Sequence, residues 1–267
     1  MIIKNILIGV RIFTIMIAFC CCLIAISKID FLCYPSGIIS TILVLLLMAS
    51  SNLINDIYDI KTDAINRPNR PLIKNPQLLN IFKAISLICI ALSLGLSFLI
   101  NFKAQLVIFC SIPILIFYSK LFKSIPIIGN LVVASYLSLV FIFIELAVTA
   151  KLDIMIVPAF FAFGISLIRE IIKDIEDYKG DYKAGLKTLP ILVGVKQSIF
   201  SAILLILCFI IASFFIALNN FYTYSIISLF LLVFMPLFYL IFFLIKNPTV
   251  ESCGEASKLL KKSLFLD

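Results

Sequence analysis

Residues 41–63 read TILVLLLMASSNLINDIYDIKTD. The stretch carries no charge through Ile54, and then Asp56, Asp59 and Asp63 arrive at i, i+3 and i+7. An uncharged run of this kind predicts a buried or membrane helix. On a helix the three acids share one face, where like charges are destabilising unless a cation offsets them. Asn55, Asp59 and Asp63 also form an i, i+4, i+8 strip, so an amide oxygen can join the carboxylates. The spacing returns 118 residues later as Asp174, Asp177 and Asp181, so six of the 14 acidic residues stand in two strips. Two such strips predict two bound divalent cations and a substrate that needs them.

Composition sets the solvent. The 267 residues are 63% hydrophobic and 13% charged, against about half and about a quarter in a soluble domain. An all-α, polytopic membrane bundle follows, and continuous apolar runs without alternation exclude a β-barrel. The net charge of +8 is read as cytoplasmic loops and not as nucleic-acid binding. Histidine is absent, which removes imidazole as a base or metal ligand. Eight cysteines, among them Cys20, Cys21, Cys22 and Cys33, form no CxxC pair and read as small hydrophobes.

Eight apolar stretches approach the ~20 residues a bilayer span needs: 6–27, 35–54, 78–100, 104–119, 128–150, 153–172, 197–218 and 223–245. Pro113, Pro158 and Pro236 predict bends in the fourth, sixth and eighth. The first lacks a small-x-small cleavage site and reads as a retained span. With eight spans, Lys28, Lys103 and Lys151 fall on one side and the other 19 of the 22 Lys and Arg on the opposite side. This asymmetry places the termini, and the loops after spans 2, 4 and 6, in the cytoplasm. Both acidic strips then lie on the cytoplasmic side at equivalent places in two four-helix halves, spans 1–4 and 5–8, of one membrane-embedded domain covering 1–267.

The residues around the strips narrow the chemistry. The first is followed by Asn66-Arg67-Pro68-Asn69-Arg70-Pro71, and the second is preceded by Arg169, Glu170 and Lys173 and followed by Lys183 and Lys187-Thr188-Leu189-Pro190. Carboxylate and amide oxygens are hard ligands suited to Mg²⁺, which shares its shell with phosphate oxygens. Interleaved Lys and Arg suit a bound diphosphate. Acidic groups at an apolar boundary are too costly to be read as an ordinary solvated face.

Asn55-Asp56-x-x-Asp59-x-x-x-Asp63 and Asp174-x-x-Asp177-x-x-x-Asp181 resemble the two signature motifs of the UbiA superfamily of intramembrane prenyltransferases. Tyr118-Ser119-x-x-Phe122-Lys123 followed by Gly129-Asn130 is similar to the family's segment after the fourth helix. The resemblance covers nearly the whole chain. It implies a helical bundle around a central, lipid-accessible cavity and Mg²⁺-dependent transfer of a prenyl chain from its diphosphate to an acceptor. Carried over, Asn55, Asp56, Asp59 and Asp63 would serve one Mg²⁺ and Asp174, Asp177 and Asp181 the other. Asp59, Asp63, Asp177 and Asp181 would be the catalytic set, with Arg67, Lys120, Lys123 and Lys173 taking the remaining diphosphate charge. The pattern around Asn66-Arg67-Pro68 and Arg169-Glu170 looks most like the branch that prenylates geranylgeranylglyceryl phosphate in membrane-lipid synthesis. An aromatic quinone precursor of the menaquinone or 4-hydroxybenzoate type is the alternative acceptor.

Two departures from the family pattern carry expectations. Arg11-Ile12-Phe13-Thr14 stands where the family has Arg-Pro-x-Asn, which removes the basis for a substrate contact from the first helix. Residues 257–266 read as the entry to a ninth helix that is then missing. A transporter is disfavoured, because the span interiors are nearly free of charge. Glu145, toward the outer end of span 5, is the main exception.

Overall fold

A computed structural model describes residues 2–29 and 34–263. Cys33 and residues 264–267 lie outside the described residues. The principal elements are helices: α1 (Ile2–Val10), α2 (Ile12–Ile29), α3 (Tyr34–Tyr58), α4 (Ile60–Asn66), α5 (Pro71–Lys74), α6 (Leu79–Ser97), α7 (Phe102–Phe117), α8 (Ile128–Thr149), α9 (Ile156–Glu176), α10 (Tyr178–Ala184), α11 (Leu189–Val193), α12 (Val195–Asn220), α13 (Thr223–Leu229), α14 (Met235–Lys246) and α15 (Val250–Ser263).

Among the described residues, seven helical stretches are long and apolar enough to cross a membrane, and they correspond to seven of the eight expected spans. The sixth, α9, has the length, 21 residues, but its last two turns carry Arg169, Glu170, Lys173 and Asp174. It is where an apolar helix becomes a site helix. The protein is an integral, multi-pass membrane protein.

Apolar packing divides the bundle. Ile168, Ile172 and Ile175 of α9 pack with Ile199 and Ile206 of α12, with Leu237 and Leu244 of α14 and with Cys253, Ala256 and Leu260 of α15. Cys22, Leu43, Ile108, Phe143 and Ile144 join α2, α3, α7 and α8 in a second cluster. Helix α8 therefore packs into the second cluster while also lying along α9, so the two expected four-helix halves share α8 as a seam. Where α9 crosses α12, a Cβ at Gly164 would come 2.2 Å from the Phe209 ring. Only glycine permits that approach.

The structure assigns Glu145 a structural task. Its buried carboxylate accepts hydrogen bonds from the backbone N–H groups of Asp153 (3.0 Å), Ile154 (2.8 Å) and Met155 (3.2 Å). These donors precede α9 and lack helical partners of their own. Glu145 thus closes the α8–α9 hairpin at the end of the bundle away from the strips.

Two expectations about helix ends change. Residues 250–263, which include the stretch expected to enter a further helix, form a 14-residue helix. It buries Ser252, Cys253, Ala256, Ser257 and Leu260 and exposes Glu251, Glu255 and Lys258. Pro158 bends nothing, because it sits in the first turn of α9, where a missing N–H leaves no bond unmade. Pro236 follows a five-residue π-turn, Phe230–Phe234, a local widening that leaves room for its ring. Pro113 lies within α7, which passes into a second π-turn at Tyr118–Phe122.

Candidate active site

The acidic strips do not lie on unbroken helices. Helix α3 ends at Tyr58 and α4 begins at Ile60, while α9 ends at Glu176 and α10 begins at Tyr178. The middle aspartate of each strip occupies the junction, with φ −85°, ψ 5° at Asp59 and φ −82°, ψ 1° at Asp177. The backbone bonds run through both junctions: Asp63 N–H to Asp59 O at 2.8 Å, Asp181 N–H to Asp177 O at 3.1 Å. The i, i+3, i+7 spacing therefore keeps its near-helical placement across a slight break. Each junction leads into a seven-residue helix bearing the third aspartate. This equivalence is the strongest structural trace of two related halves.

The two strips meet at one end of the bundle. Arg67, at the end of α4, places one guanidinium nitrogen 2.9 and 2.8 Å from the two carboxylate oxygens of Asp177. Asn66 bonds the backbone of the opposite half twice. Its Nδ2 donates to Asp177 O at 3.0 Å, and its Oδ1 accepts from Gly180 N–H at 3.0 Å. A Cβ at position 180 would lie 2.3 to 2.5 Å from the Asn66 amide, so glycine is required for this two-bond clasp.

One cavity lies between them. Asp59, Asp63, Asp174, Asp177, Asp181 and Glu170 supply its carboxylates, and Arg67, Lys123 and Lys173 its cations. Thr62, Asn66, Tyr118, Gly129, Asn130 and Thr188 complete the wall. The enclosed volume is about 30 Å³, room for no more than a water or two, because the chain's own cations fill the space. Lys123 pairs with Asp59, Arg67 with Asp177, and Lys173 stands 3.3 Å from Glu170. Asn130 Nδ2 donates to Asp174 Oδ2 at 2.9 Å and fixes that carboxylate.

Crowding of acids shows in their titration. The Asp181 carboxyl is pushed up to about 6, first by burial and then by the like charge of Asp177. Asp63 is also raised, chiefly by burial, with the charge of Asp59 adding and Arg70 opposing. Both groups give up protons more readily when a cation approaches.

The expected site residues divide accordingly. Asp59, Asp63, Asp174, Asp177, Asp181, Arg67, Lys123 and Lys173 share the cavity, whereas Asn55, Asp56 and Lys120 do not line it. Asn55 Oδ1 accepts from the Ser119 hydroxyl at 2.6 Å. Asp56 is buried between Arg70 and Arg11, the latter at 3.2 Å. Arg70 also stands 3.8 Å from Asp63, so Asp56 lies beside the cavity-facing acids on the same face but is taken up by its two arginines. Lys120 is exposed on the π-turn after α7. The first helix does reach the site's surroundings, through Arg11. That residue has φ +58° at the α1–α2 break, and the Val10 carbonyl accepts from Asn52 Nδ2 at 2.9 Å. Asn130 and Glu170 were in the quoted motifs without a role; Asn130 reaches Asp174, 44 residues away, whereas Glu170 pairs locally with Arg169 and Lys173.

The donor set fits Mg²⁺. It consists of hard carboxylate oxygens beside neutral oxygens, with no histidine in the chain and no cysteine on the cavity wall. Among the described residues no three acids are already drawn into a ligand shell. A metal would have to take the places that Lys123 and Arg67 hold beside Asp59 and Asp177, freeing those cations for an anionic ligand.

Comparison with known proteins agrees in sequence and in shape. The pattern of the UbiA prenyltransferase family matches residues 11–257. A digeranylgeranylglyceryl phosphate synthase of Saccharolobus solfataricus is 36% identical over 231 residues, covering 85% of this chain and 80% of that protein. The synthase of the same name from Methanobrevibacter smithii is 35% identical over 245 residues, 86% and 83% of the two chains. A solved digeranylgeranylglyceryl phosphate synthase superposes with TM-score 0.75 at 29% identity, covering 99% of this chain and 95% of that one. A UbiA homologue from Archaeoglobus fulgidus, solved with GPP and Mg²⁺ bound, gives TM-score 0.73 at 20% identity over 98% of each chain and shares the fold.

Proposed function

The chain belongs to the UbiA prenyltransferase family, and from that premise we propose that it is a digeranylgeranylglyceryl phosphate synthase. It joins a geranylgeranyl group from its diphosphate to the free hydroxyl of geranylgeranylglyceryl phosphate. The allylic C–O bond breaks, a new ether C–O bond forms, diphosphate leaves, and the hydroxyl proton is released. The observation that carries this reading is the convergence of both acidic strips, with Arg67, Lys123 and Lys173, on one cavity. Relatives of 30–36% identity carry that synthase name, which favours a lipid acceptor over an aromatic one.

Asp59 and Asp63 would hold one Mg²⁺, and Asp174, Asp177 and Asp181 a second. When bound, Mg²⁺ supplies electrostatic stabilisation of the leaving diphosphate. The chain's residues do the rest. Arg67, Lys123 and Lys173 neutralise charge that grows on the diphosphate as the bond breaks, the differential stabilisation that accelerates the step. Asn130 holds Asp174 in place, and the Asn66–Gly180 clasp fixes one strip against the other. The apolar bundle beside the cavity keeps water from the allylic centre. The 19-to-3 distribution of Lys and Arg supports a cytoplasmic site and cytoplasmic termini. The reading treats 1–267 as one membrane-embedded catalytic domain.

The test is an acceptor panel. Purified protein with geranylgeranyl diphosphate and Mg²⁺ should release diphosphate and form the diether with geranylgeranylglyceryl phosphate. Turnover only with 4-hydroxybenzoate or a menaquinone precursor would overturn the acceptor assignment, and no diphosphate release with any acceptor would overturn the reaction.

A further inference from the structure

We propose that the Thr188 hydroxyl is a hydrogen-bond donor to the bound diphosphate, a binding residue that neither acidic strip nor the basic residues around them indicates. The inference rests on the diphosphate reading of the cavity.

Thr188 lines the cavity and is only 4% exposed, yet its Oγ1 has no hydrogen-bond partner. A buried hydroxyl without a partner is costly, so its persistence requires a reason. Local backbone supplies none. Thr188 precedes α11 with φ −73° and ψ 163°, the setting in which a threonine normally turns its hydroxyl to the N–H of the second or third helical residue. Here the second is Pro190, which has no N–H. The third, Ile191, donates its N–H to the Thr188 carbonyl at 3.1 Å, and no side-chain cap bond forms. The hydroxyl is thereby denied its usual partners and left unpaired on a residue of the cavity wall.

Neighbouring polar groups are engaged. The Thr62 hydroxyl donates to Asp59 O at 2.9 Å, and Asn66 and Asn130 hold Asp177, Gly180 and Asp174 as described. The remaining charged groups of the wall are metal-ligand candidates or cations, apart from Glu170, which is held by Arg169 and Lys173. A neutral donor among them suits an oxygen-rich anion, whose oxygens outnumber the metal and guanidinium contacts available. Direct ligation of Mg²⁺ by Oγ1 is the competing role, and it predicts a different dependence.

Full-length protein in detergent would be titrated with inorganic diphosphate at saturating Mg²⁺, and separately with Mg²⁺ alone. Thr188→Val keeps the shape and removes the hydroxyl, Thr188→Ser keeps the hydroxyl, and Thr188→Ala matches serine in size without it. The Val and Ala variants should bind diphosphate roughly tenfold or more weakly, the loss of one hydrogen bond to a charged group. The Ser variant should stay within about threefold of the parent. KM for the prenyl diphosphate should follow the same order while KM for the acceptor does not. Tight diphosphate binding by Val with weakening by Ser would mean that Thr188 only packs, and would overturn the proposal. A loss in Val that appears equally with Mg²⁺ alone would reassign Oγ1 to the metal and overturn it as well. If the parent protein itself fails to bind Mg²⁺–diphosphate, the reading of the cavity falls and this inference with it.

Discussion

Asp56 and Asp59 are three residues apart and have opposite surroundings. Asp59 opens onto the cavity and pairs with Lys123, whereas Asp56 is buried against Arg11 and Arg70. Asp59→Asn should therefore cut turnover by roughly a thousandfold or more, the scale of losing a main charge stabiliser, and leave the melting temperature nearly unchanged. Asp56→Asn should do the reverse. It strands two arginines beside a buried neutral group and should cost about 1–3 kcal/mol of stability, discounted for the partial exposure of both arginines. Thermal melts and single-turnover rates on the same preparations check both, and a stable but metal-blind Asp56→Asn would contradict the assignment. Asp181 adds a pH signature. Its folded value of about 6 lies above the ordinary 3.8, so between those values the folded chain binds a proton that the unfolded chain has lost. The protein without metal thus loses stability as pH rises from about 4 through 6. Because Mg²⁺ needs the carboxylate, its stabilising effect should be larger at pH 7 than at pH 5. Equal melting shifts at the two values would rule this out, and Asp181→Asn should flatten the difference.

At the scale of elements, the clasp between α4 and α10 aligns the half-sites. Gly180→Ala drives a methyl into the Asn66 amide and should separate the two short helices by a few tenths of an ångström or more. Turnover should drop by roughly ten- to a hundredfold, since misplacement on that scale disrupts alignment of the reacting groups. Asn66→Ala should cost a similar amount, and the double variant little more than either alone, because both changes remove one contact. Additive losses would show that the two residues act separately. The sequence made part of this legible. Uncharged runs such as Leu43–Ile54 marked the spans, and the seven-residue rhythm of acids marked the strips, because both are local patterns. The breaks at Asp59 and Asp177 were not legible, since neither a proline nor a glycine sits at either junction. Nor was the cap formed by Glu145, whose donors, Asp153 to Met155, lie eight to ten residues away in a hairpin that only packing fixes.

For the whole molecule, the decisive contacts span 110 to 114 residues: Arg67 to Asp177 and Asn66 to Gly180. Such separations leave no periodic trace in a single chain, which is also why Asn130, whose partner Asp174 is 44 residues away, stood in a quoted motif without a role. Asn55 and Asp56 entered the expected metal set because the i, i+4, i+8 and i, i+3, i+7 rules admit both; here Asn55 is engaged by Ser119 and Asp56 by Arg11 and Arg70, contacts that no spacing rule announces. The bundle thus brings two sequence-distant strips to one end and lets each supply part of a single anion site. Paramagnetic resonance of Mn²⁺ bound in place of Mg²⁺ addresses this directly. With inorganic diphosphate present, the parent protein should show a magnetically coupled pair of ions, reduced to a single uncoupled ion by either Asp59→Asn or Asp177→Asn. Two independent ions in the parent, or a coupled pair that survives both substitutions, would contradict the claim that the two strips form one site.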